Sequence, residues 1–237
     1  MDAIMDIAEK HNLFVIEDNA QAIGATYTSS SGLKKKAGSI GHIASTSFFP
    51  SKNLGCYGDG GAIFTNDDAL AHTIRGIVNH GMYERYHHDV VGVNSRLDSL
   101  QAVVLDEKLK LLDYYNERRK WAAIRYTQLF AGHDKIITPK VVRDCQSHVF
   151  HQYTLRVIDA NRDELVKHLQ HKGIPCGVYY PIPLHAQKAY RSDRYKEDDF
   201  TVTNQLVKEV ISLPMHSELD DRQIQSIGQA VLAFLDK

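Results

Sequence analysis

Residues 13–18 read Leu13-Phe14-Val15-Ile16-Glu17-Asp18, an apolar run that stops at two carboxylates. A short continuous apolar run bounded by polar residues is the pattern of a parallel strand buried on both faces. Two acids then stand at the strand's C-terminal end, which is the edge where open α/β sheets bind ligands. Working outward, Ile4, Ile7 and Ala8 recur at helical spacing, so residues 2–11 are predicted to form a short amphipathic helix closed by His11-Asn12. On the other side, residues 27–42 are rich in Ser, Gly and Lys and predict an exposed hairpin or loop. Within it Lys34-Lys35-Lys36 has two readings, a polyanion contact or simply a solvated run.

From Ser45 the chain changes character: apolar and aromatic residues are interrupted by Lys52 and then by glycines, before Ala62-Ile63-Phe64-Thr65 reads as another strand. A helix is predicted over 68–78. Ser95-x-x-Asp98 reads as a capping box opening a long helix, with a possible kink, over about residues 96–130, and Gly132 stops it. Beyond it come a strand at 151–157, a helix at 161–172 and a strand at 174–180. A loop with Pro181 and Pro183, a helix at 201–211 and a final helix at Asp221–Leu235 complete the pattern. The expected organisation is α/β, with a larger mainly parallel domain over 1–120 and a smaller α/β domain over 121–237.

The chain has 237 residues, of which 43% are hydrophobic and 24% charged. Its 28 Lys+Arg stand against 29 Asp+Glu for a formal net charge of -1. That balance is globular and gives no pull toward nucleic acid or an anionic membrane. No run approaches the ~20 apolar residues of a membrane span, and the opening MDAIMDIAEK lacks a basic leader, so a cytoplasmic protein is expected. Cys56, Cys145 and Cys176 are too few and too scattered for a disulfide framework, and are expected to be reduced and partly buried.

Lys52 carries the chemistry. It follows Ser47-Phe48-Phe49-Pro50-Ser51 and precedes Asn53-Leu54-Gly55, a setting that desolvates an ammonium and frees its lone pair for attack on carbonyls. The alternative is a lysine that snorkels out of an apolar loop. Ser45, Thr46, Ser47 and Ser51 bring hydroxyls near the amine, and glycines at 55, 58, 60 and 61 let the backbone approach a ligand. An amine, hydroxyls for a phosphate and a carboxylate at a strand end are the parts of a pyridoxal phosphate site.

The motifs VIEDNAQAIGA, TSFFPSKNLGCYGDGGAIFTND, NHGMYERYHHDVVGVNSRLDSLQA and VYYPIPLHAQKAY, in that order, resemble those of the DegT/StrS nucleotide-sugar aminotransferases. These are fold-type I (aspartate aminotransferase-like) pyridoxal phosphate enzymes. The resemblance implies that Lys52 joins the cofactor covalently and shuttles the proton, and that Asp18 pairs with the pyridine nitrogen. It further implies that Gln21 lies against the ring, that Ser47 binds the phosphate, and that Asn94 reaches the phosphate of a partner subunit, making the active unit a homodimer. Arg96 resembles a contact for a sugar carboxylate, with a structural salt bridge as the other reading. His185 resembles a histidine at the substrate end, with Tyr180 and Tyr179 as neighbours that strand-end packing explains equally well.

The wording around Lys52 and His185 is closest to members that aminate a 3-keto hexose or hexuronic acid on a nucleotide, with glutamate as the usual donor, for surface polysaccharides such as lipopolysaccharide. A dehydratase variant is disfavoured because that chemistry is associated with loss of the lysine. Metal binding is not expected: His80, His87 and His88 fall in the family stretch, and His148 and His151 lack an HExxH context. The resemblance also implies that the family's opening third precedes the segment matching Met1. The strand at 13–16 is then expected to lack neighbours on one side. Either the chain is a truncated product, with a catalytically inactive remnant in a binding or assembly role as the competing function, or another chain fills the gap.

Overall fold

A computed structural model describes residues 1–141 and 147–237, which divide into two compact units. The first comprises Met1–Glu117 with the stretch ending at His151. The second comprises the stretch beginning at Arg118 together with Gln152–Lys237. The expectation for Cys145 lies outside the described residues. Cys56 and Cys176 are both free, the first buried and the second half-buried.

In the first unit, α1 (Asp2–Lys10) leads into β1 (Ile16–Asp18), followed by β2 (Thr26–Thr28) and β3 (Lys34–Lys36). These precede β4 (Ile43–Ser47) and β5 (Gly61–Phe64), and then α2 (Asp68–Val78), β6 (Met82–Glu84), β7 (His87–His88) and α3 (Ser99–Leu109). The central sheet runs β1-β4-β5, with β1 parallel and β5 antiparallel to β4. The hairpin expected at 27–42 forms as β2–β3, and Lys34-Lys35-Lys36 is an exposed strand. Asp67 caps α2, its carboxylate accepting from Ala69 N at 2.8 Å and Leu70 N at 2.9 Å. Phe48, Leu54, Cys56, Leu105 and Leu112 form the core of this unit, with Ile23 and Ala62 against it.

α4 (Leu112–Leu129) contributes its residues to Glu117 to the first unit and its remaining turns to the second. There β8 (Ile136–Ile137), β9 (Tyr153–Val157) and β10 (Val210–Leu213) form an antiparallel sheet in the order β10-β9-β8. The helices are α5 (Arg162–His171), α6 (Thr201–Glu209) and α7 (Asp221–Leu235). Tyr153, Leu155 and Val157 alternate inward along β9, onto a core with Tyr126, Leu165, Leu169, Ile211, Ile224 and Val231. Burial pushes the Tyr153 phenol up to about 12, even though the hydroxyl shares a 2.8 Å hydrogen bond with Thr127 Oγ1. No helix among the described residues is long and apolar enough to cross a membrane.

Several sequence expectations need correction. The run Leu13–Ile16 is not a strand buried on both faces: regular pairing covers Ile16–Asp18, and Phe14 and Ile16 are 83% and 72% exposed. Among the described residues β1 has β4 on one side and is the sheet's edge on the other, as expected, and the side chains of Phe14 and Ile16 are left uncovered. Ser95 does not open a helix. Its N–H donates to Val78 O at 2.9 Å while Asn94 bridges to Asn79, so this stretch is held extended and α3 starts at Ser99. The long helix is broken at Lys110-Leu111 into α3 and α4. Residues 174–180 form no strand beyond one bridge between Gly177 and Ser212. Pro175 lacks the N–H that a ladder needs. The helix expected to end at 211 stops at Glu209, since Val210–Leu213 pairs with β9 instead.

Candidate active site

The parallel pairing of β1 with β4 sets Asp18 opposite Ser45, on strands about 4.8 Å apart. Asn19 N continues the ladder to Ser45 O at 2.8 Å. β4 ends two residues later at Ser47, so Asp18 and Ser47 stand at the same, C-terminal end of neighbouring parallel strands. The two acids of β1 part company there, because successive side chains leave opposite faces of a strand. Glu17 turns to the 38–41 loop, accepting from Ile40 N and Gly41 N at 2.6 Å through Oε1, and from Gly38 N at 2.8 Å through Oε2. Burial alone would raise its pKa, but the hydrogen bonds from Gly41, Gly38 and Ile40 outweigh this and hold the carboxyl below the ordinary range. Asp18 stays exposed, its Oδ1 accepting from Ala20 N at 3.0 Å. That Asx turn opens the bend carrying Gln21, which is also exposed. Asn19 between them is buried, with its Oδ1 unpartnered.

Lys52 lies on the tight loop between β4 and β5. Its N–H donates to Phe49 O at 2.8 Å, and Cys56 N and Phe48 N close the loop base on Phe48 O and Gly60 O, both at 2.8 Å. Buried Cys56 sets its Sγ 3.0 Å from Phe48 O and Gly58 O. Gly55 is obligatory, since a Cβ would meet Pro50 O at 2.5 Å. α3 clamps the far side: Lys108 Nζ donates to Gly55 O at 2.6 Å, and Gln101 Oε1 accepts from Tyr57 N at 2.7 Å. Asn53, beside Lys52, is buried, with Nδ2 2.7 Å from Asn116 Oδ1 and 2.9 Å from Val149 O. Lys52 itself is half-buried, on a loop whose backbone these contacts hold.

Ser47 is half-buried, its Oγ accepting from Phe49 N at 3.3 Å. Asp18, Gln21, Ser47 and Lys52 therefore belong to one end of the β1–β4 pair. Asn94 and Arg96 sit on another stretch of the same unit. Asn94 bridges to Asn79, and Arg96 Nη1 donates to Asn79 Oδ1 at 3.5 Å, a neutral partner where a structural salt bridge would need a carboxylate. Arg96 lines a cavity of about 650 Å³ with Ser45, Thr46, Gly61 and Asp98. In the second unit, His185 Nε2 lies 3.0 Å from Asn204 Oδ1 and its ring stacks on Phe200 at 4.2 Å. His185 lines a 440 Å³ cavity with Arg191, Ser192 and Tyr195. Tyr179 and Tyr180 are exposed and lie edge to face at 5.7 Å, so strand-end packing does not account for them. Sequence reasoning did not find Glu17's loop contacts, Asn53, Asn116 or Lys108. All act through partners distant in the chain.

An α/β unit with an amine-bearing loop and a carboxylate at the ends of adjacent parallel strands is the frame of a fold-type I transferase. Residues 1–232 match the DegT/DnrJ/EryC1/StrS aminotransferase family, and the chain belongs to it. It is 48% identical over 236 residues to a pleiotropic regulatory protein of Geobacillus stearothermophilus, covering 99% of this chain and 61% of that protein. It is 45% identical over 230 residues to the UDP-2-acetamido-2-deoxy-3-oxo-D-glucuronate aminotransferase of Pseudomonas aeruginosa, covering 97% and 61%. Among solved structures, S. venezuelae DesV in complex with a ketimine intermediate superposes with a TM-score of 0.91 at 38% identity, covering 100% of this chain and 62% of that one. The chain thus spans about three-fifths of the length of the relatives it matches.

Proposed function

We propose that the protein carries the lysine-bearing part of a pyridoxal phosphate-dependent aminotransferase. In this reading it moves an amino group from an amino acid such as glutamate to a nucleotide-linked 3-keto hexose or hexuronic acid. The observation that carries the reading is the parallel β1–β4 pairing, which sets Asp18, Ser47 and the Lys52 loop at one sheet end. The Pseudomonas relative, whose name states a 3-oxo glucuronate substrate, supports the substrate class.

The donor set fits pyridoxal phosphate. Asp18 offers a carboxylate for the ring nitrogen, Ser47 a hydroxyl for the phosphate, Gln21 an amide for the ring edge and Lys52 an amine for the aldehyde. When bound, the cofactor supplies an electron sink for charge developing at the reacting carbon. Asp18, by its negative charge, favours the protonated ring nitrogen. Lys52 Nζ, on the loop that the Asn53 and Lys108 contacts hold, takes and returns the proton at the reacting carbon. The Arg96 guanidinium, with a neutral partner, retains donors for a sugar carboxylate. Asn94 serves the phosphate in a partner's site of a cytoplasmic homodimer, and His185 and Tyr180 serve the sugar.

The test is to incubate the 237-residue chain with pyridoxal phosphate, reduce with borohydride and map the labelled peptide. Labelling at Lys52, lost in Lys52→Ala, with turnover on a panel of nucleotide keto sugars, is the expected result. The second reading, a binding or assembly role without turnover, is favoured by the exposed edge of β1. Absence of any Lys52 label would select it.

A further inference from the structure

Two buried amides stand between the lysine loop and the turn that carries Asp18 and Gln21. Asn53 Nδ2 donates to Asn116 Oδ1 at 2.7 Å, and Asn116 Nδ2 donates in turn to Ile23 O at 3.2 Å. Both residues are nearly sealed from solvent, at 7% and 8% exposure. The turn is shaped around the second amide. Gly24 has φ +87°, and a Cβ there would collide with Asn116 Nδ2. Ala22 N to Asn19 O at 3.1 Å and Ala25 N to Ala22 O at 2.9 Å then carry the constraint back along the bend to Asn19. The loop's other ties, Lys108 to Gly55 and Gln101 to Tyr57 from α3 and Asn53 Nδ2 to Val149 O at 2.9 Å, do not touch the turn.

Pure space-filling does not explain these residues. Asn53 Oδ1 is buried without a partner, a desolvation cost that an aliphatic residue of similar size would avoid. What the amides provide instead is direction, since each N–H and C=O fixes its neighbour within a few tenths of an ångström. We propose that Asn53 and Asn116 form a positioning relay that sets the Lys52 loop against the Asp18–Gly24 turn. It thereby fixes the amine relative to the carboxylate and to the Gln21 amide. The proposal rests on the functional reading above for its purpose, and on hydrogen-bond geometry alone for the coupling.

The test compares the full chain with Asn116→Leu, which removes both links at nearly constant volume, and Asn116→Asp, which keeps the acceptor for Asn53 but loses the donor to Ile23. Asp67→Ala, at the α2 cap and outside the relay, serves as a destabilised control. Backbone hydrogen exchange is read at residues 20–25 and 50–57. Labelling by pyridoxal phosphate and borohydride is read as the ratio of Lys52 to Lys34–Lys36. Asn116→Leu is expected to speed exchange in both segments about tenfold, the size of one lost buried hydrogen bond, and to lower the labelling ratio by a similar factor. Asn116→Asp is expected to loosen the turn alone and still lower the ratio, while Asp67→Ala changes neither segment.

Exchange that changes in only one segment of Asn116→Leu overturns the coupling. An unchanged ratio in both Asn116 variants overturns the positioning role, since a merely stabilising contact would not move lysine selectivity. Should the wild-type chain show no preference for Lys52, the functional reading fails, and the exchange data still decide the relay.

Discussion

Replacing Glu17 tests whether the two strand-end acids have been assigned correctly. Its carboxylate accepts hydrogen bonds from Gly38, Ile40 and Gly41, the longest at 2.8 Å. A net hydrogen bond contributes about 1 kcal/mol, and bonds to a charged acceptor about 1.5–3. Since the site is only partly buried, the freed amides recover water, and about 1 kcal/mol per bond is the appropriate figure. Glu17→Ala should therefore cost about 3 kcal/mol in the first unit. Glu17→Gln, which keeps one oxygen for Ile40 and Gly41 but presents an N–H to Gly38, should cost about 1 kcal/mol.

The sign of the pH dependence follows from the depressed carboxyl. The folded chain binds its proton less readily than the unfolded chain, whose ordinary value is 4.5. The stabilisation is complete above that value and disappears as pH falls through the lower, folded one. Hydrogen exchange at the Gly38, Ile40 and Gly41 amides reads the effect locally, without requiring both units to unfold together. Protection in wild type that weakens on acidification, and is already weak in Glu17→Ala at neutral pH, is expected. Equal protection in wild type and Glu17→Ala would refute the assignment, as would normal protection of this loop in an Asp18→Ala variant proving unattainable.

Gly55→Ala should destabilise the first unit by about 1–3 kcal/mol in urea unfolding, because the new methyl lies 2.5 Å from Pro50 O and 2.8 Å from Phe49 O. The same variant should lose selective labelling of Lys52, since the loop must shift to relieve the contact. Asp67→Ala removes a cap that accepts from Ala69 N and Leu70 N and should cost about 1 kcal/mol, seen as faster exchange in the first turn of α2.

The run Leu13–Asp18 was enough to place a parallel strand with acids at its end, because apolar runs and strand polarity are local properties. Its burial was not legible, since burial depends on which elements pack over its faces, and Phe14 and Ile16 are left exposed. Alternation separates Glu17 from Asp18 by face. Yet no local signal says that the 38–41 amides close on Glu17 and leave Asp18 outward. Lys52 stood out because an amine among Phe48, Phe49 and Leu54 is locally anomalous. Asn53 and Asn116, separated by 63 positions, carry no such anomaly, and only folding makes them neighbours. The strand expected at 174–180 failed for a reason present in the sequence, the missing N–H of Pro175. The strand at Val210–Leu213 was hidden because its pairing with β9 overrides a helical pattern.

Two of the edge strands of the first unit, β1 and β3, differ in how they meet a foreign chain. β3 presents consecutive lysines, so an approaching strand of the same protein encounters like charge. β1 is led in by the exposed Phe14 and Ile16, with the exposed carboxylate of Asp18 at its far end. Crowding and added salt should therefore drive self-association through one flank and spare the other until the lysines are screened. Self-association is thus expected to begin at the apolar lead-in to β1.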